Sequence, residues 1–398
     1  MDFDVLIVGA GPAGLAMANG LAGSGLRVAL VEPQTSTQLS APDYDGREIA
    51  LTRHSVALLG AQDVWSRIAI EHRAPLHEAL VFDGADTVPL QVRAASGDAQ
   101  PLGWLASNHA IRRASWEALQ ASHAATVLDG CRVQDVRLDA ARAEVVLNDG
   151  RRLCSRLLIA ADSRHSQARR AVGIGAHMRD FGRSMLVCRM RLEQPCPGQA
   201  WEWFDHDQTL ALLPLHADQA SVVLTLPQMQ IAPLLEMPVT DFDAQMQLRF
   251  HGRVGAMHLT STRHAYALVG VYARRFSTTR FALLGDAAVG MHPVTAHGFN
   301  LGLAGAAHLA ALLRNAAARG ADIGAATLLA RYARAHHARC LPLYLATQGI
   351  VDLYTRERAP ARIARHALLR AAARVPGFRQ GLGALLAGQI SMRRDTAV

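Results

Sequence analysis

Val5 to Leu21, VLIVGAGPAGLAMANGL, is followed by a second apolar run, Val28–Val31, and then by Glu32. Val5–Val8 suits a short buried strand. Gly9-Ala10-Gly11-Pro12-Ala13-Gly14 interrupts it, and an apolar stretch of helical period continues from Leu15 to Leu26. In a strand–turn–helix unit each glycine has its own task. Gly9 permits the tight turn, Gly11 lets backbone approach a pyrophosphate, and Gly14 lets helix and strand pack closely. The helix N-terminus offers free N–H groups and a partial positive charge to phosphates. Val28–Val31 reads as the next strand. Glu32 at its end can accept from ribose hydroxyls, whereas a 2′-phosphate would be repelled. The stretch therefore reads as a dinucleotide-binding βαβ unit; the bland alternative is a glycine-rich buried βαβ unit with no ligand.

Val5 to Leu26 carries no charge and is long enough to span a bilayer. Gly and Pro fall in it at turn-forming spacing, and Asp2 and Asp4 precede it, where a signal peptide would have a basic start. Neither a membrane span nor a signal is expected, and the expected location is the cytoplasm. A chain of 398 residues suggests two or three domains, and 50% hydrophobic residues supply a large core. Every basic residue among the 41 is Arg, which excludes Schiff-base lysine chemistry and a Walker phosphate loop. The five cysteines form no C-x-x-C pair, and their odd number fits a reduced compartment. No metal site is expected: the histidines lack zinc spacing, and His292 and His297 read as structural or flavin-adjacent. The net charge of +8 is concentrated from Arg331 onward. No aromatic-interleaved basic motif accompanies it, so no nucleic-acid partner is expected. An anionic membrane surface or an acidic partner protein is the better candidate, beside a simply solvated helical face.

Past the opening unit, residues 33–48 read as a loop and Ile49–Ile68 mainly as helix. Residues 76–104 hold strand-like pieces, and a helix begins near Ile111. Val133–Leu138 and Ala143–Leu147 read as strands, with an Asn148-Asp149-Gly150 turn before a buried strand at Leu157–Ala160. Such a turn between alternating runs is a strong hairpin signal. Residues 181–272 alternate apolar runs with turns, as in Met185–Met190, Thr209–Leu213 and Ser221–Leu226, and suit the wall of a substrate pocket. Phe281–Leu284 returns to the cofactor domain. The chain is helical from Phe299, with helices expected over Arg331–Gln348 and Arg362–Arg374 and a break at Pro376-Gly377. The expected architecture is α/β: a Rossmann-like FAD-binding domain (1–72, 105–178 and 273–325), an inserted β-sheet substrate domain (73–104 and 179–272), and C-terminal helices (326–398).

A second motif, LLGDAAVGMHPVTAHGFNLGL, runs from Leu283 to Leu303. Asp286 follows a buried strand, where a carboxylate can accept from a sugar-like hydroxyl chain. Pro293 stiffens the next loop. Gly298 to Gly302 opens a helix whose N-terminus would stabilise the negative charge of a reduced flavin by ~0.3–1 kcal/mol, or ~2 when partly buried. Two such pieces, suited to different parts of one cofactor, point to a flavin enzyme.

With GREIALTRHSVALLG (Gly46–Gly60), LLIAADSRHSQARRAVGI (Leu157–Ile174) and the tail from Val351 to Leu382, these stretches give the chain a resemblance over essentially its whole length. It resembles the class A flavoprotein aromatic hydroxylases, most of all the ubiquinone-biosynthesis hydroxylases of the UbiH, UbiF, UbiI and UbiM group. The resemblance implies that Gly9, Gly11, Gly14 and Glu32 hold the ADP half of FAD. It puts Arg47 near the flavin and phosphates, and Asp162 near the pyrophosphate and the nicotinamide donor. Asp286 would bind a ribityl hydroxyl, while Pro293, Gly298 and Asn300 frame the isoalloxazine. The chain departs from the family pattern at three places. Ser163 stands where Gly usually follows the acid, Val289 where His is common, and Ala296-His297 where Gly-Gln is common. His297 is the catalytic candidate, since imidazole titrates near neutrality and could hydrogen-bond the flavin edge or move protons; a space-filling side chain is the alternative.

The implied reaction is a two-stroke monooxygenation. NAD(P)H reduces FAD, O2 adds, and a flavin hydroperoxide hydroxylates the ring of a polyprenylated phenol or quinol. The HPVTAHGFNLGL variant leans towards the UbiM type and towards attack at C5, as in a demethoxyubiquinol hydroxylase. Such a tailed substrate implies peripheral contact with the inner face of the cytoplasmic membrane, or delivery by other ubiquinone-biosynthesis proteins. The competing readings are a hydroxylase of a small soluble aromatic compound and a non-catalytic flavoprotein subunit of a lipid-biosynthesis complex.

Overall fold

β1 (Phe3–Val8) sits in the middle of a sheet because both of its faces are apolar: Val5 and Ile7 enter one core, Leu6 and Val8 another. The computed structural model describes residues 1–84, 89–93, 100–205 and 208–355. Around β1 stand β2 (Val28–Glu32), β8 (Thr126–Asp129), β11 (Arg152–Ala160) and β19 (Phe281–Leu283), all parallel, with β18 (Ser277–Thr278) antiparallel at the edge. The path runs β18-β19-β11-β1-β2-β8. The hairpin expected around Asn148–Gly150 is present. β9 (Val133–Leu138) and β10 (Ala143–Leu147) form an antiparallel meander onto β11, and Gly150 takes a φ of 84° in the turn.

Helices cover this sheet. α1 (Pro12–Gly20) packs on α4 (Asn108–Ser122) and α8 (Gly298–Ala318) through Leu15, Met17, Leu309 and Leu313. α9 (Ala326–Thr355) lies over the strand end, where the Tyr332 hydroxyl donates to the Leu283 carbonyl at 2.8 Å. Among the described residues no helix is long and apolar enough to cross a membrane. The helix expected over Arg362–Arg374, the break at Pro376-Gly377 and the Arg-rich tail beyond lie outside the described residues.

The second large sheet is mostly antiparallel. It comprises β5 (Glu78–Asp83), β6 (Leu90–Arg93), β12 (Ala176–Leu192), β13 (Gln199–Asp205), β14 (Gln208–Pro214), β15 (Gln219–Pro227), β16 (Met257–Leu259), β17 (His264–Ala273) and β20 (Val289–Gly290). Its path is β20-β17-β12-β15-β14-β13-β5-β6, with β16 on β12. One face packs Trp203, Leu212 and Val222 against Phe242 and Met246 of α7 (Val239–Arg249), with α6 (Gln228–Glu236) beside it. The other face carries the cavity described below.

Local reading erred where tertiary pairing overrode it. Ile49–Ile68, read mainly as helix, begins as β3 (Glu48–Thr52), which pairs with β7 (Gly103–Ser107) as Ile49↔Ala106 and Leu51↔Trp104. Helix α3 covers only Arg53–Ala61, started by the Thr52 hydroxyl accepting from Ser55 N–H at 3.1 Å. The supposed loop at 33–48 contains a short helix, α2 (Ser36–Ser40), closed by a Thr35/Gln38 capping box. β4 (Arg73–Leu76) joins β3 and β7 in a three-stranded sheet, while β5 and β6 go to the second large sheet. The short α5 (Gln167–Ala171) follows β11.

Candidate cofactor and substrate site

The three glycines of the first motif meet three different surroundings. Gly9 has φ +101°, and a Cβ there would lie 2.6 Å from the Ala161 carbonyl oxygen. A Cβ on Gly14 would lie 1.8 Å from the Gly9 oxygen, so helix and strand touch at that point. At Gly11 nothing lies within 4 Å of a Cβ position, and the residue faces a cavity of about 700 Å³. Pro12 at the first turn removes one N–H that would be orphaned anyway, and no side chain caps the α1 N-terminus.

The same cavity is lined by Asp286, Pro293 and Gly298 of the second motif, and by Arg47 and Asp162. Residues nearly 300 positions apart in sequence thus border one continuous space. Gly9, Gly14, Glu32, His297 and Asn300 are near it but not on its wall. Glu32 is buried, with Oε2 accepting from Ala10 N–H at 2.6 Å and Oε1 from Gln34 N–H at 3.0 Å. It holds the glycine turn against the end of β2. Asn300 is likewise committed to backbone. Its Oδ1 accepts from Thr52 N–H at 3.0 Å, and its Nδ2 donates to the carbonyls of Ala50 at 2.8 Å and Ala296 at 3.0 Å. His297 is buried, and its Nδ1 is hydrogen-bonded to the Thr295 carbonyl.

Asp162 lies two residues past β11, its Oδ2 accepting from Gln167 N–H at 2.8 Å in the first turn of α5, which Ser166 caps. Its Oδ1 is buried with no partner among the described residues. The next residue, Ser163, turns its hydroxyl onto the His165 N–H at 3.2 Å. Arg164, which sequence reasoning did not single out, reaches Asp286 Oδ2 at 3.1 Å and the Val269 carbonyl at 3.2 Å. This pair closes the cavity where β11 and β19 end. Arg47 is held by Asp45 at 2.6 Å and lies over the Tyr266 ring at 5.2 Å. Burial would raise the Asp45 pKa, but Arg47 and hydrogen bonds from Arg47 and Asn108 outweigh it and hold the carboxyl below its ordinary value. Behind it, burial raises the Glu48 pKa, against the opposing pull of Arg189 and Ser107.

Two further residues line the wall: His292, read from the sequence as structural or flavin-adjacent, and Glu202, which the sequence reading did not single out. His292 begins the 3₁₀ turn Pro293–Thr295 and packs edge-on to Phe181 at 4.9 Å. Burial, helped by Arg183 and Arg179, lowers its pKa to about 4, so it is neutral at pH 7. Glu202 stands on the sheet wall, where burial alone raises its pKa to about 8.

This donor set fits FAD. The glycine turn and α1 N-terminus suit a pyrophosphate, the vacant Oδ1 of Asp162 and the partly exposed Asp286 suit hydroxyl donors, and the space beside Gly298 admits a flat ring.

Residues 2–341 match the FAD binding domain family. The chain is 43% identical to ubiquinone hydroxylase UbiM of Neisseria meningitidis, over 97% of this chain and 84% of that protein. It is 34% identical to ubiquinone hydroxylase UbiL of Rhodospirillum rubrum, over 91% of this chain and 84% of that one. Among solved structures, p-nitrophenol 4-monooxygenase PnpA of Pseudomonas putida superposes with a TM-score of 0.76 at 17% identity, covering 96% of this chain and 98% of that one. HpxO of Klebsiella pneumoniae complexed with FAD gives 0.73 at 19%, covering 98% of each. At these identities the superpositions establish the shared fold.

Proposed function

The chain belongs to the FAD binding domain family and, within it, to the ubiquinone hydroxylases, and from that premise we propose that it hydroxylates the aromatic ring of a polyprenylated ubiquinone precursor. It is an FAD-dependent monooxygenase. The observation that carries the reading is the single cavity bordered by the opening glycine turn, the Asp286–Gly302 stretch and the apolar face of the second sheet. FAD, when bound, supplies electron transfer and oxygen activation; the protein supplies position and a dry surround.

In this reading Gly9, Gly11, Gly14 and Glu32 form the ADP end, with Glu32 shaping the turn that Gly11 opens. Asp162, Arg164 and Asp286 meet the pyrophosphate and ribityl chain, and Arg47 lies beside them. Pro293 and Gly298 border the ring. Asn300 and His297 fix the backbone around it, and His292 presents a neutral imidazole at the reacting end. NAD(P)H is the electron donor. The 43% identity supports the UbiM type, and attack at C5 is kept as the position towards which the HPVTAHGFNLGL stretch leans.

A prenyl tail makes access a physical problem, since each CH2 held from water is worth about 0.8 kcal/mol. We place the enzyme at the periphery of a membrane, or beside a lipid-presenting partner protein, when it takes its substrate. The test is direct. The purified protein should be yellow and should consume O2 and NAD(P)H with a short-chain polyprenylphenol. Deleting its gene should accumulate a precursor whose missing hydroxyl identifies the carbon attacked. A colourless protein unable to take up FAD ends the reading; fast turnover of small phenols without lipid or detergent moves the substrate class to soluble aromatics.

A further inference from the structure

Glu202 lies in a row across the second sheet. It pairs with Val81 of β5 on one side and Ala211 of β14 on the other, and the row continues through Val223 of β15 to Val187 of β12. Glu202, Ala211, Val223 and Val187 all line the cavity. Its strand neighbours Trp201 and Trp203 turn the other way, into the core beneath α6 and α7. A carboxyl group therefore stands alone in an aliphatic row facing the substrate space. No side chain among the described residues hydrogen-bonds it or pairs with it, and no nearby charge contributes to its altered acidity. The two guanidinium groups on the cavity wall have carboxylates of their own: Arg47 has Asp45 at 2.6 Å and Arg164 has Asp286 at 3.1 Å.

An unpartnered carboxyl on an apolar wall is a standing cost to the fold. A replacement of similar size without the charge would pack as well. What such a group offers is recognition. Near neutral pH it is chiefly the neutral acid, which both donates to and accepts from a hydroxyl.

We propose that Glu202 is a specificity-determining residue of the substrate pocket, its carboxyl group hydrogen-bonding the hydroxyl of a phenolic ring and so selecting rings that carry a hydroxyl there over rings that do not. The inference deepens the hydroxylase reading and rests on it for the class of ring. A site built to bond a hydroxyl discriminates strongly against analogues lacking it, because its buried polar group is then left unpaired.

The experiment uses the FAD-loaded protein as wild type, Glu202→Gln and Glu202→Leu. Equilibrium dialysis at fixed detergent measures binding of a short-chain prenylphenol and its methyl ether. Wild type should prefer the phenol over the ether by about tenfold or more. Glu202→Gln, which keeps both a donor and an acceptor, should keep the phenol/ether preference. Glu202→Leu should bind phenol and ether within about threefold of each other. Both variants should retain FAD and melt no lower than wild type, because the group removed has no protein partner. Identical ratios in all three proteins overturn the proposal, as does a lowered melting temperature, which would expose a structural role. Hydroxylation is scored separately. If wild type hydroxylates the phenol while the ratios stay fixed, this assignment falls alone. If the ratios move but no hydroxylation occurs, the proposed reaction falls and the binding role stands.

Discussion

Replacing Asn300 by Ala removes two hydrogen bonds that tie the first turn of α8 to β3 and a third that ties it to the loop entering the helix. Thr52 N–H loses its acceptor at a position that is 8% exposed, and water cannot readily replace it. A buried group left unsatisfied costs about 1–3 kcal/mol, and the abandoned Ala50 and Ala296 carbonyls add to that, so the loss is about 2–4 kcal/mol. With roughly 2 cal/mol/K of unfolding entropy per residue, a chain of 398 residues loses about 3–5 °C of Tm. Ala50 and Ala296 also line the cavity, so their release should reach FAD. If the clamp must be rebuilt by the bound cofactor, each 1.4 kcal/mol costs tenfold in affinity, and Kd rises by about 30-fold to several hundredfold. Thermal unfolding of apo and FAD-loaded protein, with a flavin-release titration, measures both. Asn300→Asp sharpens the test. It keeps an acceptor for Thr52 but turns a carboxylate oxygen towards two carbonyls, so at neutral pH it should be worse than Ala. A Tm drop below about 1 °C with unchanged FAD affinity would refute the clamp.

Gly11→Ala should leave the apo Tm unchanged but weaken FAD binding, since its Cβ projects only into the cavity; Gly14→Ala should damage both, because its Cβ would strike the Gly9 carbonyl. Differential scanning fluorimetry with and without FAD separates the two. Asp286→Ala should lower FAD retention while changing apo stability by under about 1 kcal/mol, because its partly exposed pair with Arg164 is worth little to folding; flavin content after gel filtration that matched wild type would remove Asp286 from the site. The third test concerns acid. Burial lowers the pKa of both His292 and His336 to about 4. Between pH 6.5 and 4 the unfolded chain then binds more protons than the native one. Stability is therefore full above about 6.5 and falls as pH drops, by on the order of 1–3 kcal/mol per histidine. His292→Gln should flatten its share of that slope in urea titrations at a series of pH values.

The βαβ opening was legible because its signal is local: glycine placement, apolar period and the acid at a strand end all fall within thirty residues. The meander at 133–160 was legible for the same reason. Its turn residues specify the pairing that the strands adopt. Ile49–Leu51 was misread because nothing nearby marks it as a strand; its partner is β7, some fifty residues on. Asn300 looked like a ring contact by motif, yet its amide is spent on β3, a partner about 250 positions away. Arg164 sat inside a quoted motif but had no visible partner until Asp286 came beside it. Glu202 carried a faint signal: Trp201 and Trp203 alternate with it at strand period. An acid opposite two buried tryptophans reads as solvent-facing unless the other face is known to be roofed.

The order of strands in the first sheet has a consequence for synthesis. β1 is flanked by β2 and by β11, and β11 waits in turn for β19. About 120 residues separate β2 from β11. At the usual 5–20 residues per second a ribosome takes roughly 6–25 s to make them. Throughout that interval one edge of a strand whose single charge is Asp4, near its start, has nothing to pair with. The nascent chain needs shelter then, and a slower ribosome would lengthen its exposure to aggregation.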